Sequence, residues 1–278
     1  MWQAAAPALR LAPIATAASG DVSSFFGTSS DLWAVGLTFI RLASLVMLVP
    51  GLGDQAVPAR YRLSFALAFA FVATPLVRDT LPPLPPGLGA MTGQVLHEAI
   101  IGLMLGSLMR VLLFTLITSG EIISLQSGLS FAQTANPTQA QPSTSIATFL
   151  AMLGLVMIYV TNTHHLFIRA MIDSFHIFPA QRPVMIGDAV ALMTRTIGQS
   201  FVLALQMSAP LIVFGLVFNV SVGFIGRIMP NFPVFFAATP LSLLLGLALF
   251  ALGLGATGMV FIDHYQDMLS VFIRRGNG

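Results

Sequence analysis

The chain has 278 residues, of which 56% are hydrophobic and only 8% charged, with a formal net charge of +2. A soluble globular domain carries roughly 25% charged residues, so this composition excludes an ordinary soluble fold and points to a polytopic membrane protein of all-α class. The absence of cysteine removes disulfides and thiolate chemistry. The twelve basic residues, all arginine, are too few and too scattered to form a nucleic-acid-binding stripe.

Residues 1–24 are alanine-rich and contain Pro7, Pro13 and a lone Arg10. The basic start of a signal peptide is missing, so this segment reads as a disordered leader. Asp31 is the expected N-cap of an apolar stretch over 32–49, interrupted by Arg41. A Pro-Gly loop follows at 50–54, then a second apolar stretch over 63–77. The proline-rich segment 81–87 lacks backbone donors and reads as a stiff, extended spacer.

The third stretch runs over 95–129, too long for one ~30 Å hydrocarbon core at 1.5 Å per residue, so either it tilts and breaks near Gly120 or it is not a simple membrane span. Residues 131–145 form a polar, uncharged loop with Phe131 at its base, then Gln133, Asn136, Pro137, Gln139, Gln141 and Pro142. A single long helix is expected over 146–178. An amphipathic piece over 184–196 leads to a helix over 197–225 containing Pro210. After a turn at 227–233, a final helix runs from 234 to about 273. This gives six to eight membrane-length segments, and the arginines are spread too evenly for the positive-inside rule to orient them.

Ionisable groups inside apolar helices cost roughly 2.5–3.5 kcal/mol each at the bilayer centre on insertion scales, and such groups mark paired or functional positions. Arg41, Glu98, Arg110, Glu121, His165, Arg169, Asp173 and Arg227 are the candidates. His165, Arg169 and Asp173 recur every four residues and share one helical stripe, which Thr161 begins and His176 nearly extends. Arg110 and Glu121, eleven residues apart, return to almost the same face. One reading is a polar translocation lining or proton relay. The other, favoured because arginine beside carboxylate is the ordinary way to neutralise buried charge, is a set of pairs fixing helix register. The dipeptide His97-Glu98 is followed at position 101 by isoleucine, so a zinc-protease motif is excluded. No metal site, cofactor-binding loop, nucleophile elbow or carboxylate dyad is found, and no catalytic activity is expected. Gly102 and Gly106 make a small-xxx-small pattern that permits close helix approach.

The run at 120–132, Gly-Glu-Ile-Ile-Ser-Leu-Gln-Ser-Gly-Leu-Ser-Phe-Ala, closely resembles the signature of the FliR family of flagellar biosynthetic proteins. Further likeness covers most of the chain beyond about residue 24: Ala56 to Arg62 with the alanine-rich helix after it, 162–179 with its Asp173-Ser174-Phe175-His176 run, and 227–241. The sequence departs from the family at Pro233, where a polar residue is usual. The resemblance implies a structural subunit of the flagellar type III export gate, in the bacterial inner membrane within the flagellar basal body. It implies a FliP-like part over 25–195 and a FliQ-like C-terminal hairpin over 196–278. It implies assembly with FliP and FliQ homologues, work alongside FlhA-type and FlhB-type export components, and passage of unfolded flagellar proteins. Loop 131–145 corresponds by the same resemblance to the plug that closes the lumen; read alone, it is an ordinary surface loop. Alternatives are the injectisome homologue, whose sequence is usually more charged at the signature, and a small-molecule transporter, which would need two matching halves.

Overall fold

The computed structural model describes residues 27–54, 56–130, 144–181, 186–231 and 233–274. The leader and the polar loop over 131–143 lie outside them. Among the described residues the chain is all-helical: α1 (Ser29–Val46), α2 (Ala59–Val77) with a 3-10 turn at Arg78–Thr80, α3 (Leu88–Gln126), α4 (Ser145–Val160), α5 (His164–Ile177), α6 (Ile186–Ile228) and α7 (Val234–Arg274). Five of these are long and apolar enough to cross a membrane, or six spans if the bent pair α4–α5 counts as one.

The fold is organised around α3, a 39-residue helix against which α1, α4 and α6 all pack. At 1.5 Å per residue it is about 58 Å long. Between apolar helices in lipid there is no hydrophobic drive, so association depends on close packing, and glycines make it possible. A Cβ at Gly102 would overlap Ser44 Oγ and the Arg41 carbonyl, and one at Gly106 would lie 2.9 Å from the Leu45 carbonyl oxygen. The small-xxx-small pair is therefore the crossing point of α1 on α3. α1 answers with Ala34, Leu37, Thr38, Arg41, Leu42 and Leu45 on its buried face, at helical spacing.

Several boundaries correct the sequence expectations. The N-cap of α1 is Thr28, not Asp31. Asp31 sits at N3 and its carboxylate accepts from Thr28 N at 3.2 Å, completing a capping box. α3 does not break at Gly120. The glycine instead lets the Ala147 backbone of α4 approach, in a space that a Cβ would occupy. The helix expected over 146–178 is two helices bent by 77°, because Asn162 takes a left-handed φ of 58° between them. The two pieces expected over 184–225 are one helix of 43 residues, and Pro210 sits inside it without ending it.

Several buried hydroxyls are satisfied within their own helices, whereas those of Thr115, Ser119, Ser124 and Ser200 have no hydrogen-bond partner among the described residues. Thr38 donates to Ala34 O at 2.9 Å, Thr74 to Ala70 O at 2.7 Å and Ser208 to Ala204 O at 2.8 Å, as a medium without water requires. The Phe167 and Phe261 rings each meet Tyr265 in a tilted contact, and the Tyr265 hydroxyl donates to Met109 O at 3.2 Å. Gln266 Nε2 donates to Thr163 Oγ1 at 3.1 Å, which ties α7 to the α4–α5 bend.

Candidate functional site: a buried charge pair and the root of the polar loop

α1 and α3 cross so closely that two charged side chains meet where neither can reach solvent. Arg41 and Glu98 both have 0% side-chain exposure. Arg41 Nε donates to Glu98 Oε2, and Nη2 donates to Oε1 at 2.9 Å, a two-pronged pairing. The remaining capacity of the guanidinium goes to the C-terminal end of α5. Nη1 donates to Ser174 O at 2.9 Å and Nη2 to Phe178 O at 2.8 Å. The Ser174 carbonyl also accepts from Phe178 N at 2.9 Å; both carbonyls lie at the C-terminal end of α5, the negative end of the helix dipole, so Arg41 caps α5 as well as neutralising Glu98. The Phe175 ring lies 4.1 Å from the guanidinium carbon, adding a cation–π contact. His97 Nδ1 lies 3.5 Å from Glu98 Oε1. Three helices are thus locked through one side chain.

Glu121 does different work. Its Oε1 accepts from the backbone N–H of Thr144 at 2.8 Å. Thr144 is the N-cap of α4 and its own hydroxyl accepts from Ala147 N. Glu121 therefore places a carboxylate at a helix N-terminus, where negative charge is favoured, and pins the residue at which the chain leaves segment 131–143. Arg110, on the same α3 face, has its Nη2 3.7 Å from Asp54 Oδ1 in the loop after α1.

The other candidates are not buried charges. Arg227 is exposed on the last turn of α6, and His165 is exposed at the start of α5. Arg169 is 56% exposed and pairs with Asp173, one helical turn on, at 3.6 Å. The His165–Arg169–Asp173 stripe exists as a stripe but faces away from the core, because Phe167, Ala170, Met171, Ser174 and Phe175 take the inner face of α5. Thr161 falls before the bend and does not share that face. Of the polar-loop candidates, Phe131, Gln133, Asn136, Pro137, Gln139, Gln141 and Pro142 lie outside the described residues. Among the described residues no group of three His, Asp or Glu could hold a metal ion.

Sequence reading missed the partners of these groups. Asp54 opposite Arg110, the α5 carbonyls on Arg41 and the Thr144 N–H on Glu121 all need the three-dimensional crossing to be seen. It also missed the seam at the end of α3. The Gln126 amide lies so close to Gly215 of α6 that a Cβ there would overlap its Oε1, and a Cβ at Gly246 of α7 would lie 2.7 Å from Ser127 Cβ. Glycines standing alone in apolar runs at 215 and 246 were the available signal. Gly120, Glu121, Gln126 and Ser127 thus spread the signature over contacts with α4, α6 and α7.

The sequence model for "Bacterial export proteins, family 1" matches residues 32–268. The chain belongs to this family. It is 51% identical to the flagellar biosynthetic protein FliR of Caulobacter vibrioides over 89% of this chain and 98% of that protein. Similarity extends to FliR of Escherichia coli, at 28% identity over 76% of this chain and 80% of that protein, and of Aquifex aeolicus, at 26% over 85% and 91%. The FliR resemblance carried by residues 120–132 therefore holds along nearly the whole chain.

Proposed function

We propose that this chain is a non-catalytic structural subunit of the flagellar type III protein export gate in the bacterial inner membrane. The observation that carries this reading is the 51% identity to a FliR protein across 98% of that protein's length. Among the described residues the helices are joined by polar contacts such as Arg41 with Glu98 and the α5 carbonyls, which supports a structural role.

In this reading the chain joins FliP and FliQ homologues in one assembly, beside FlhA-type and FlhB-type components, and unfolded flagellar proteins pass along it. Residues 25–195 form its FliP-like part and 196–278 its FliQ-like hairpin, the two sharing helix α6. Broad exposed apolar faces on α6 and α7, including Phe201, Leu216, Phe224, Leu244 and Leu252, suit lipid or partner helices. Segment 131–145 acts as the plug, held at its exit by Glu121 and Thr144. The absence of charge there suits a stopper that reads no particular substrate sequence.

Co-expression with the FliP and FliQ homologues tests the assembly: one complex is expected on purification, and a chain that stays a separate monomer overturns the reading. Deleting 136–143 tests the plug. Increased ion leakage in cells is expected, and unchanged permeability refutes that role.

A further inference from the structure

α3 and α6 run parallel, and two contacts fix how they face each other. Ser107 Oγ lies 3.7 Å from Met193 Sδ near one end of the seam, and the Gln126 amide lies against Gly215 near the other. Thr115 and Ser119 stand eleven and seven residues before Gln126, and Ser200 stands seven after Met193. At about 100° per residue each returns to within roughly 20° of its reference position, so all three lie on the facing sides. The offset between the two contacts puts Ser200 level with the turn of α3 that ends at Thr115, and Ser119 one turn further along. We propose that Thr115, Ser119 and Ser200 form a binding site for water inside this seam, a short ordered bridge that joins α3 to α6.

The hydroxyls carry the argument. Thr115, Ser119 and Ser200 are 1%, 0% and 6% exposed, and their hydroxyls have no hydrogen-bond partner among the described residues. Hydroxyls before and after them along the same seam behave differently. Ser107 donates to Met104 O at 2.8 Å, Thr196 to Leu192 O at 2.9 Å and Ser208 to Ala204 O at 2.8 Å. Bonding back to the preceding turn is thus open to serine and threonine here, and it is their ordinary solution in a dry helix. The three in the middle forgo it and turn into the seam, where a hydroxyl without a partner is costly.

Size and charge select the ligand. The facing positions 115, 119, 200 and 204 carry Thr, Ser, Ser and Ala, so no long side chain fills the space between the helices. Thr115 and Ser119, one turn apart, have a Cβ separation of about 5–6 Å, the span of two hydrogen bonds through a single oxygen. The three groups are neutral and each can both donate and accept. They suit a neutral molecule that does the same, and buried groups of this kind are ordinarily bridged by water. An ion would meet no opposite charge from these groups to offset its desolvation. The inference rests on the packing of α3 against α6 and is independent of the export-gate reading.

A double-mutant cycle on the full chain in detergent tests the bridge, because Thr115 and Ser200 do not bond to each other directly. Thr115→Val and Ser200→Ala should each lower the thermal midpoint by about 2–4 °C, the shift that one lost hydrogen bond gives at comparable size. The double variant should lose less than the two together. Ser208→Ala, whose hydroxyl is already bonded within α6, should instead add fully to Thr115→Val. Midpoints that hold or rise in the single variants overturn the proposal, since that is the result of deleting an unpartnered group. Additive losses from Thr115→Val and Ser200→Ala overturn it as well. Millisecond X-ray radiolysis of the wild type needs no variant. Hydroxyl radicals formed from bound water should label Leu112 and Leu203, which are buried beside these hydroxyls, and spare Leu45, buried against α3 elsewhere. Labelling of Leu112 and Leu203 no stronger than that of Leu45 would show the seam to be dry and end the proposal.

Discussion

Arg41 and Glu98 stand 57 residues apart in the chain and meet with no exposure of either side chain, in a pair that also caps the carbonyls of Ser174 and Phe178. Because removing one member strands the other's charge, single and double substitutions separate neutralisation from packing.

Arg41→Met should destabilise the detergent-solubilised chain by about 3–5 kcal/mol, as should Glu98→Leu, since each leaves an uncompensated buried charge. The double variant should recover part of that loss, although the α5 carbonyls still lose their cap. Thermal unfolding of the four proteins measures the coupling. Additive losses would mean that the two groups do not act as a pair.

Glu121→Ala removes the acceptor for Thr144 N, whereas Glu121→Gln keeps an oxygen at that position. The alanine variant is expected to loosen the start of α4 by about 1 kcal/mol, the usual size of a lost helix cap, and the glutamine variant to lose less. Protease sensitivity between residues 127 and 150 reads the difference. Equal sensitivity in both variants would show that the hydrogen bond to Thr144 does not anchor the segment.

Gly102→Leu places a side chain where Ser44 Oγ and the Arg41 carbonyl already lie. α1 must then move away from α3, which also parts Arg41 from Glu98. Loss of membrane accumulation is expected. Gly89→Leu, at a position with no heavy atom within 4 Å, should accumulate normally, and pulse-labelled chain recovered from membranes compares the two.

Asn162 has a φ of 58°, a conformation that costs a residue with Cβ roughly 1–2 kcal/mol and that asparagine and glycine tolerate best. Asn162→Gly should leave thermal stability near wild type, while Asn162→Val should lower it by about that amount and straighten the 77° bend. A spin-label distance between α4 and α5 reports the angle directly.

Helix type was legible because apolar periodicity is strong, but the number was less so: the six to eight membrane-length segments expected are five, or six if the bent pair counts as one. What failed was the placing of breaks. Gly120 looks like an interruption within α3 but serves the approach of Ala147, and Asn162, with no such prominence in the sequence, makes the sharpest bend. A glycine in a membrane helix carries the same letter whether it ends the helix or admits a neighbour, and only the neighbour decides. The charged candidates divide in the same way. Four-residue spacing placed His165, Arg169 and Asp173 on one face of α5, but spacing does not say which face turns inward. There the bulk of Phe167, Met171 and Phe175 took the interior. Arg41 and Glu98 were visible as charges among apolar residues; their meeting was not, since no local pattern links positions 57 apart.

The shared Arg41 joint also imposes an order on synthesis. α1 leaves the ribosome first, and its guanidinium meets a carboxylate only after Glu98 emerges. The carbonyl of Ser174, 133 residues downstream of Arg41, comes later, and that of Phe178, 137 downstream, later still. Until residue 178 is made, the nascent chain holds a half-satisfied cation among apolar helices, so a chain stopped short of that point is marked by its own chemistry as unfinished.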